Sequence, residues 1–370
     1  MLQARQPLQA LRGIAALLVM LYHLGGVASL DKYFGIAWLD LPCSYTDFGV
    51  EIFFVLSGFI IALTHQRDWG RSERLGAFLY KRSSRIFPLY WLIFTAVGCA
   101  ILLSPALRAA NPHDLPTILK SLLLLPQDPA VVGGTGAPIL IVAWSLQYEM
   151  VFYALFALII CHKSFAPVIA AALLALNAWA VLDPKLAATF PVSFLTSQYV
   201  PLFAMGMLVW KLASMQGTTQ LKHGKLAFYA GVCLLAATEI YKMQQPDHAL
   251  FCKVTLCGLG AALVVYGVVS NARILPRLFS NQLLCTLGDA SYMQFLTHFP
   301  VLSLLAKIAM AVHLNHLGVS GALIFCAVAA TTCVTVAITL HKLVEKPLGQ
   351  YLKDLPAPVA GRAPAIGQAA

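Results

Sequence analysis

The chain has 370 residues, 59% of them hydrophobic and 11% charged, where soluble domains carry about 25% charged residues. That balance excludes a soluble globular enzyme and identifies a polytopic membrane protein. The formal charge of +10 does not indicate nucleic-acid binding, because the basic residues sort to one side of the apolar runs.

Apolar runs of spanning length occur at 8–28, 47–65, 86–105, 139–161, 165–182, 197–213, 226–241, 250–270, 291–312 and 319–341. A helix needs about 20 residues to cross a bilayer, so ten transmembrane helices are predicted, with 165–182 and 226–241 the marginal ones. The fold class is therefore all-α: a polytopic transmembrane helix bundle. With the N-terminus in the cytoplasm, eighteen of the 25 Lys and Arg fall on the inner side. Positive-inside bias then accounts for the net charge and places both termini in the cytoplasm. Residues 1–350 form one membrane domain, and the Pro/Ala/Gly-rich tail 351–370 reads as disordered. The first run is an uncleaved anchor rather than a signal peptide, because Arg12 and His23 interrupt it.

That first helix also carries the most informative spacing. Arg12 and His23 are eleven residues apart, or roughly 16 Å along a helix axis. Ionisable groups at membrane depth cost about 2.5–3.5 kcal/mol and persist only where something compensates them. Arg12 thus suits an anion at one face, and His23 suits proton transfer in the interior. In the second helix, Glu51 needs an interior-facing position for the same reason, whereas Ser57 and Gly58 suit a small-residue helix contact.

The inner loop Arg67–Arg74 owes its charge to topology, but Arg82 and Arg85 are different. They lie three apart on what should be continuous helix, so two planar guanidiniums share one face and suit a phosphate or pyrophosphate. The long outer loop 106–138 contains Gly133 and Gly134 and is a candidate lid on the acceptor side. Trp144 and Glu149 both lie in the fourth run, Glu149 about ten residues from its outer end and open to either an ion pair with a buried arginine or a catalytic or orienting role. His298 is a second intramembrane imidazole. The nine cysteines and ten histidines show no metal-ligand spacing, so no metal is expected.

A polar set spread across a bilayer implies either an ion path or chemistry on a membrane-accessible substrate. A neutral imidazole can take the proton of an acceptor hydroxyl during acyl transfer. An acidic neighbour would fix its tautomer, and Glu149 is the candidate. No Gly-x-Ser-x-Gly elbow is present, which favours direct transfer over an acyl-enzyme.

These residues resemble acyltransferase family 3, the bacterial integral-membrane O-acyltransferases. Leu8–His23 resembles the family's Arg-x10-His opening, Gly49–Phe59 its second helix, and Arg82-Ser-Ser-Arg85 its Arg-x-x-Arg motif. Trp144-Ser-Leu-Gln-Tyr-Glu149 is similar to its Trp-Ser-Leu-x-x-Glu, and Val344-Glu345-Lys346-Pro347 to its closing Glu-x-Pro. The resemblance implies His23 as catalytic base with Glu149 beside it, and Arg12, Arg82 and Arg85 near the phosphates of a cytoplasmic acyl-CoA. Acyl-CoA, with acetyl-CoA favoured, is then a co-substrate, and no cofactor is tightly bound. The acceptor is a hydroxyl of a glycan or glycolipid, with Glu51, Trp144, Gly133, Gly134 and His298 as substrate-contacting candidates. Membrane lipid is a further partner, and the location is the bacterial inner (plasma) membrane. Two departures stand out: Gln147-Tyr148 replaces the second acid that often precedes the glutamate, and no extracytoplasmic esterase-like domain follows the tenth helix. A proton-coupled transporter or flippase of a lipid or acyl donor would use the same kind of polar core. Against it, the two halves show no inverted repeat.

Overall fold

The computed structural model describes residues 5–109, 111–112, 114–215, 223–244, 249–270 and 281–354. Among them there is no strand. Ten helices are long and apolar enough to cross a membrane: α1 (Arg5–Ser29), α2 (Gly49–His65), α3 (Leu75–Leu103), α4 (Trp144–Cys161), α5 (Phe165–Leu182), α6 (Tyr199–Met215), α7 (Gly224–Gln244), α8 (Ala249–Ser270), α9 (Ser291–Ala311) and α10 (Gly318–Leu340). They follow the predicted runs in order. The chain is a multi-pass membrane protein.

Two boundaries differ from the sequence expectation. α3 begins at Leu75, well before the apolar run at 86, because positions 78, 82, 86 and 89 share an inward face and hold it in the bundle: Phe78, Arg82, Ile86 and Leu89 are all buried. Arg82 and Arg85 are therefore on the spanning helix itself. Beyond α10 the chain continues through a π-helical turn, His341–Glu345, into a helix at Lys346–Asp354. The first four residues of the expected tail are thus helical, and 355–370 lie outside the described residues.

The main core joins α2, α3, α4, α6, α8 and α9 through side chains such as Phe59, Phe78, Phe156, Leu202 and Met293. A smaller cluster of Met20, Leu24, Leu302, Phe325 and Cys333 packs α1 against α9 and α10. α5 buries no residue.

Without a strong hydrophobic drive between helices in lipid, close packing depends on small residues that let backbones approach. α2 and α6 cross in this way. A Cβ at Gly58 would lie 2.1 Å from the carbonyl oxygen of Phe203, and one at Gly206 would lie 2.0 Å from that of Val55. Gly58 thus makes the expected small-residue contact, with Gly206 as its partner. This crossing fixes the helix that carries Ser57 and Ile61 beside the site described next. Gly206→Val should lower stability by about 1–3 kcal/mol through overpacking against backbone, read as a lower unfolding midpoint of the detergent-solubilised protein. An unchanged midpoint would show that the crossing relaxes freely.

Candidate functional site

A cavity of about 90 Å³ opens between α1, α2, α3, α4 and α9, lined among others by Arg12, Arg82, Arg85, Glu149, Tyr153 and Ser291. Arg82 and Arg85 reach one space because they are three residues apart on α3. Arg82 is buried; its Nη2 donates to Thr64 Oγ1 at 3.2 Å. Its guanidinium also lies 5.8 and 5.7 Å from the ring centroids of Phe78 and Tyr153, contacts in which the ring faces attract the cation. Arg12 donates from Nη1 to Gln9 Oε1 at 3.0 Å, and Gln9 Nε2 in turn donates to Asp289 Oδ1 at 2.5 Å. Arg85 is exposed. Among the described residues, none of the three arginines forms an ion pair with a carboxylate. Glu149 accepts a hydrogen bond from the Tyr153 hydroxyl, so the ion pair left open by the sequence is replaced by a neutral donor one helical turn away.

Further along α1, His23 is half-buried and its ring meets a second imidazole. His23 Nδ1 lies 2.9 Å from the Val19 carbonyl oxygen and 3.3 Å from His298 Nε2. His298 is fully buried, with Nδ1 2.9 Å from the Gln294 carbonyl oxygen. The group facing His23 is therefore His298 rather than Glu149, whose hydrogen bond goes to Tyr153.

Phe299 packs edge-on to the His23 ring, with centroids 5.4 Å apart at 81°. The same Phe299 forms part of the wall of a second cavity, about 700 Å³, between α3, α9, α10 and the loop before α4. Its lining is largely aliphatic, Ile93 and Val97 for example, with Lys307, Gly133 and Gly134 also present. The two glycines have φ of +80° and +58° and no atom within 4 Å of an added Cβ, so backbone shape rather than crowding demands them. Trp144 lies in an aromatic group with Phe54, Tyr148 and Tyr199, its ring 4.9 Å from that of Tyr199. Phe54 carries that group to the edge of the arginine cavity.

Glu51 sits apart from both cavities, 1% exposed, in a five-membered charge cluster. Lys253 Nζ is 2.5 Å from Asp47 Oδ2 and 3.8 Å from Glu51 Oε1, while Lys242 Nζ is 3.2 Å from Asp47 Oδ2 and 2.5 Å from Glu239 Oε2. The lysines compensate the acids that a membrane interior would otherwise penalise.

With this geometry in view, the acyltransferase-domain model of the Acyl_transf_3 family matches residues 7–340. The chain belongs to acyltransferase family 3. It is 31% identical over 332 residues to the exopolysaccharide production protein ExoZ of Rhizobium meliloti, covering 85% of this chain and 94% of that protein. It is 27% identical over 322 residues to the acyltransferase MdmB of Streptomyces mycarofaciens, covering 80% and 78% respectively. A shorter likeness, 30% over 162 residues, covers 40% of this chain and 79% of protein 2 in the picA locus of Rhizobium radiobacter. No solved structure matches the chain.

The acyltransferase thus brings Arg12, Arg82, Arg85 and Glu149 to one cavity, pairs His23 with His298, and places Gly133 and Gly134 on another cavity. Sequence reasoning missed Tyr153, Ser291 and Gln294. Tyr153 was visible in principle, four residues beyond Glu149 on the same helix face. Ser291 and Gln294 are buried, and their side-chain polar atoms have no hydrogen-bond partner; only the fold reveals this.

Removing one member of a buried ion pair costs about 3–5 kcal/mol. Lys253→Met should therefore cut thermal stability sharply, and adding Glu51→Gln should recover part of the loss. Full stability in Lys253→Met would show that the pairing of Lys253 with Asp47 and Glu51 does not stabilise the fold.

Proposed function

We propose that this membrane acyltransferase moves an acyl group from a cytoplasmic acyl-CoA to a hydroxyl of a glycan or glycolipid. The observation that carries this is the convergence of Arg12, Arg82 and Arg85 on one cavity without a protein carboxylate paired to any of them among the described residues. Guanidiniums held at such a cost call for an external anion, and planar forks favour phosphate or pyrophosphate. The Gln9 and Thr64 contacts hold Arg12 and Arg82 in place without neutralising them.

The partnerless hydroxyl of Ser291, which lines the arginine cavity on α9, supports a donor whose polar groups supply the missing hydrogen bond. Acetyl-CoA is the first donor to test. The exopolysaccharide named for the Rhizobium relative favours a carbohydrate acceptor here. The larger cavity beside Phe299 is the acceptor approach, and the lid is the Gly133–Gly134 loop. Its aliphatic lining suits a lipid-linked sugar better than a free one.

In the reaction, the acceptor oxygen attacks the thioester carbonyl while His23 takes the hydroxyl proton at Nε2. A C–O bond forms and the C–S bond breaks. The imidazolium then returns its proton to the departing CoA thiolate. A general base of this kind contributes about 10²–10⁴-fold.

His23→Ala should lose that factor in acyl transfer from labelled acetyl-CoA to host membranes, with insertion intact. Arg82→Ala and Arg85→Ala should each raise the KM for acetyl-CoA, and Lys should rescue poorly for want of a bidentate fork. An intact thioester with label moved across the membrane would overturn acyl transfer in favour of transport. Sidedness gives a separate test: thiols introduced by Arg71→Cys and Val131→Cys, both at exposed positions, should label from the cytoplasmic and outer faces respectively in a background stripped of native thiols. Labelling from one face would break the arrangement of an inner donor serving an outer acceptor.

A further inference from the structure

The pairing of His23 with His298 constrains both rings more than a simple contact would. Each Nδ1 faces a carbonyl oxygen at 2.9 Å, Val19 for His23 and Gln294 for His298. A carbonyl oxygen only accepts, so each Nδ1 must carry the hydrogen. A neutral imidazole holds one hydrogen, which leaves both Nε2 atoms as lone pairs. His298 Nε2 then points its lone pair at the N–H of His23 Nδ1 across 3.3 Å, and that hydrogen is shared between Val19 and His298. The opposite tautomers would set two nitrogen lone pairs against two carbonyl oxygens. Only one arrangement satisfies every contact.

From this geometry we infer that His298 is a positioning residue that holds His23 with Nδ1 protonated and Nε2 free to accept a proton. The inference rests on the proposed role of His23 as base. It assigns His298 the orienting place that a carboxylate commonly occupies beside a catalytic imidazole, and replaces direct substrate contact as its role. A neutral ring supplies a hydrogen-bond acceptor without adding a charge to the membrane interior. When His23 takes the acceptor's proton at Nε2, the positive ring keeps its Nδ1 hydrogen bond to His298, so no ring rotation is needed between the two halves of the reaction. His298 is itself fixed from behind: it is 1% exposed, and its backbone carbonyl oxygen accepts from Cys333 Sγ on α10 at 3.7 Å.

The test compares His298→Ala with His298→Gln in the purified full-length protein. A glutamine oxygen can reach the place of Nε2 and accept from His23, whereas alanine cannot. Loss of the partner that orients a metal-bound histidine costs about 10–100-fold, and a loss of that size is expected here. His298→Ala should lose that much in kcat for transfer from acetyl-CoA to host membranes, with KM for acetyl-CoA changed less than about threefold, and His298→Gln should recover most of it. Diethyl pyrocarbonate, which acylates the unprotonated imidazole nitrogen, gives a readout that does not depend on the reaction assigned to the enzyme. Modification of His23, located by mass spectrometry, should slow several-fold in His298→Ala and return in His298→Gln. Equal inactivity of both variants, or modification of His23 at an unchanged or faster rate in His298→Ala, would overturn the inference. If His23→Ala keeps full activity, the base assignment fails, while the reactivity of His23 still decides whether His298 holds the ring.

Discussion

The cost of keeping charge inside a membrane-spanning bundle governs this structure. Arg82 is buried on α3 with a hydroxyl and two aromatic faces for company. None of these cancels its charge. The fold maintains this group close to Arg12 and Arg85 at a cavity walled by α1, α2, α3, α4 and α9, and the anion site proposed above rests on that arrangement.

The other charge cluster solves the same problem differently. Asp47, Glu51 and Glu239 are paired with Lys242 and Lys253 across the start of α2, the end of α7 and the start of α8. Both clusters place buried ionisable groups on helices long and apolar enough to span a membrane. One is compensated largely from within, by two lysines set against three acids. The other is open: its cations form no ion pair with a carboxylate among the described residues, although Glu149 lines the same cavity, and that openness is the basis of the binding role proposed for it. Counting buried charges would treat the two alike; asking which charges are compensated from within separates them.

Much of this was legible in the chain, and the limits have a physical origin. Helical runs are local, since length and hydropathy determine them, and the spacing of Arg82 and Arg85 places both on one face before any fold is known. Arg12 and His23 were likewise marked by their cost within an apolar run. What no local pattern specifies is which distant groups meet. His298 is 275 positions from His23, and Lys253 is 206 from Asp47. Glu149 was the plausible partner for His23 by chemistry, yet the helix packing turns it toward Tyr153. Glu51 and Arg12 were marked for the same reason, because the sequence shows that a charge is expensive without showing which groups surround it, for Glu51 Lys253 at 3.8 Å.

α5 has a consequence of another kind. It buries none of its 18 residues, so the bilayer, and not the protein, is its main solvent. At about 1.5 Å per residue its length is roughly 27 Å, near the lower end of hydrocarbon thickness. The interior helices can tilt or slide only together, because they share a core. α5 touches that core through only partly buried residues such as Ala166 and Ile169, and a thicker bilayer meets its shortness by thinning locally around it. Hydrophobic mismatch is thus expected first along this flank, on a helix that carries none of the site's arginines or histidines.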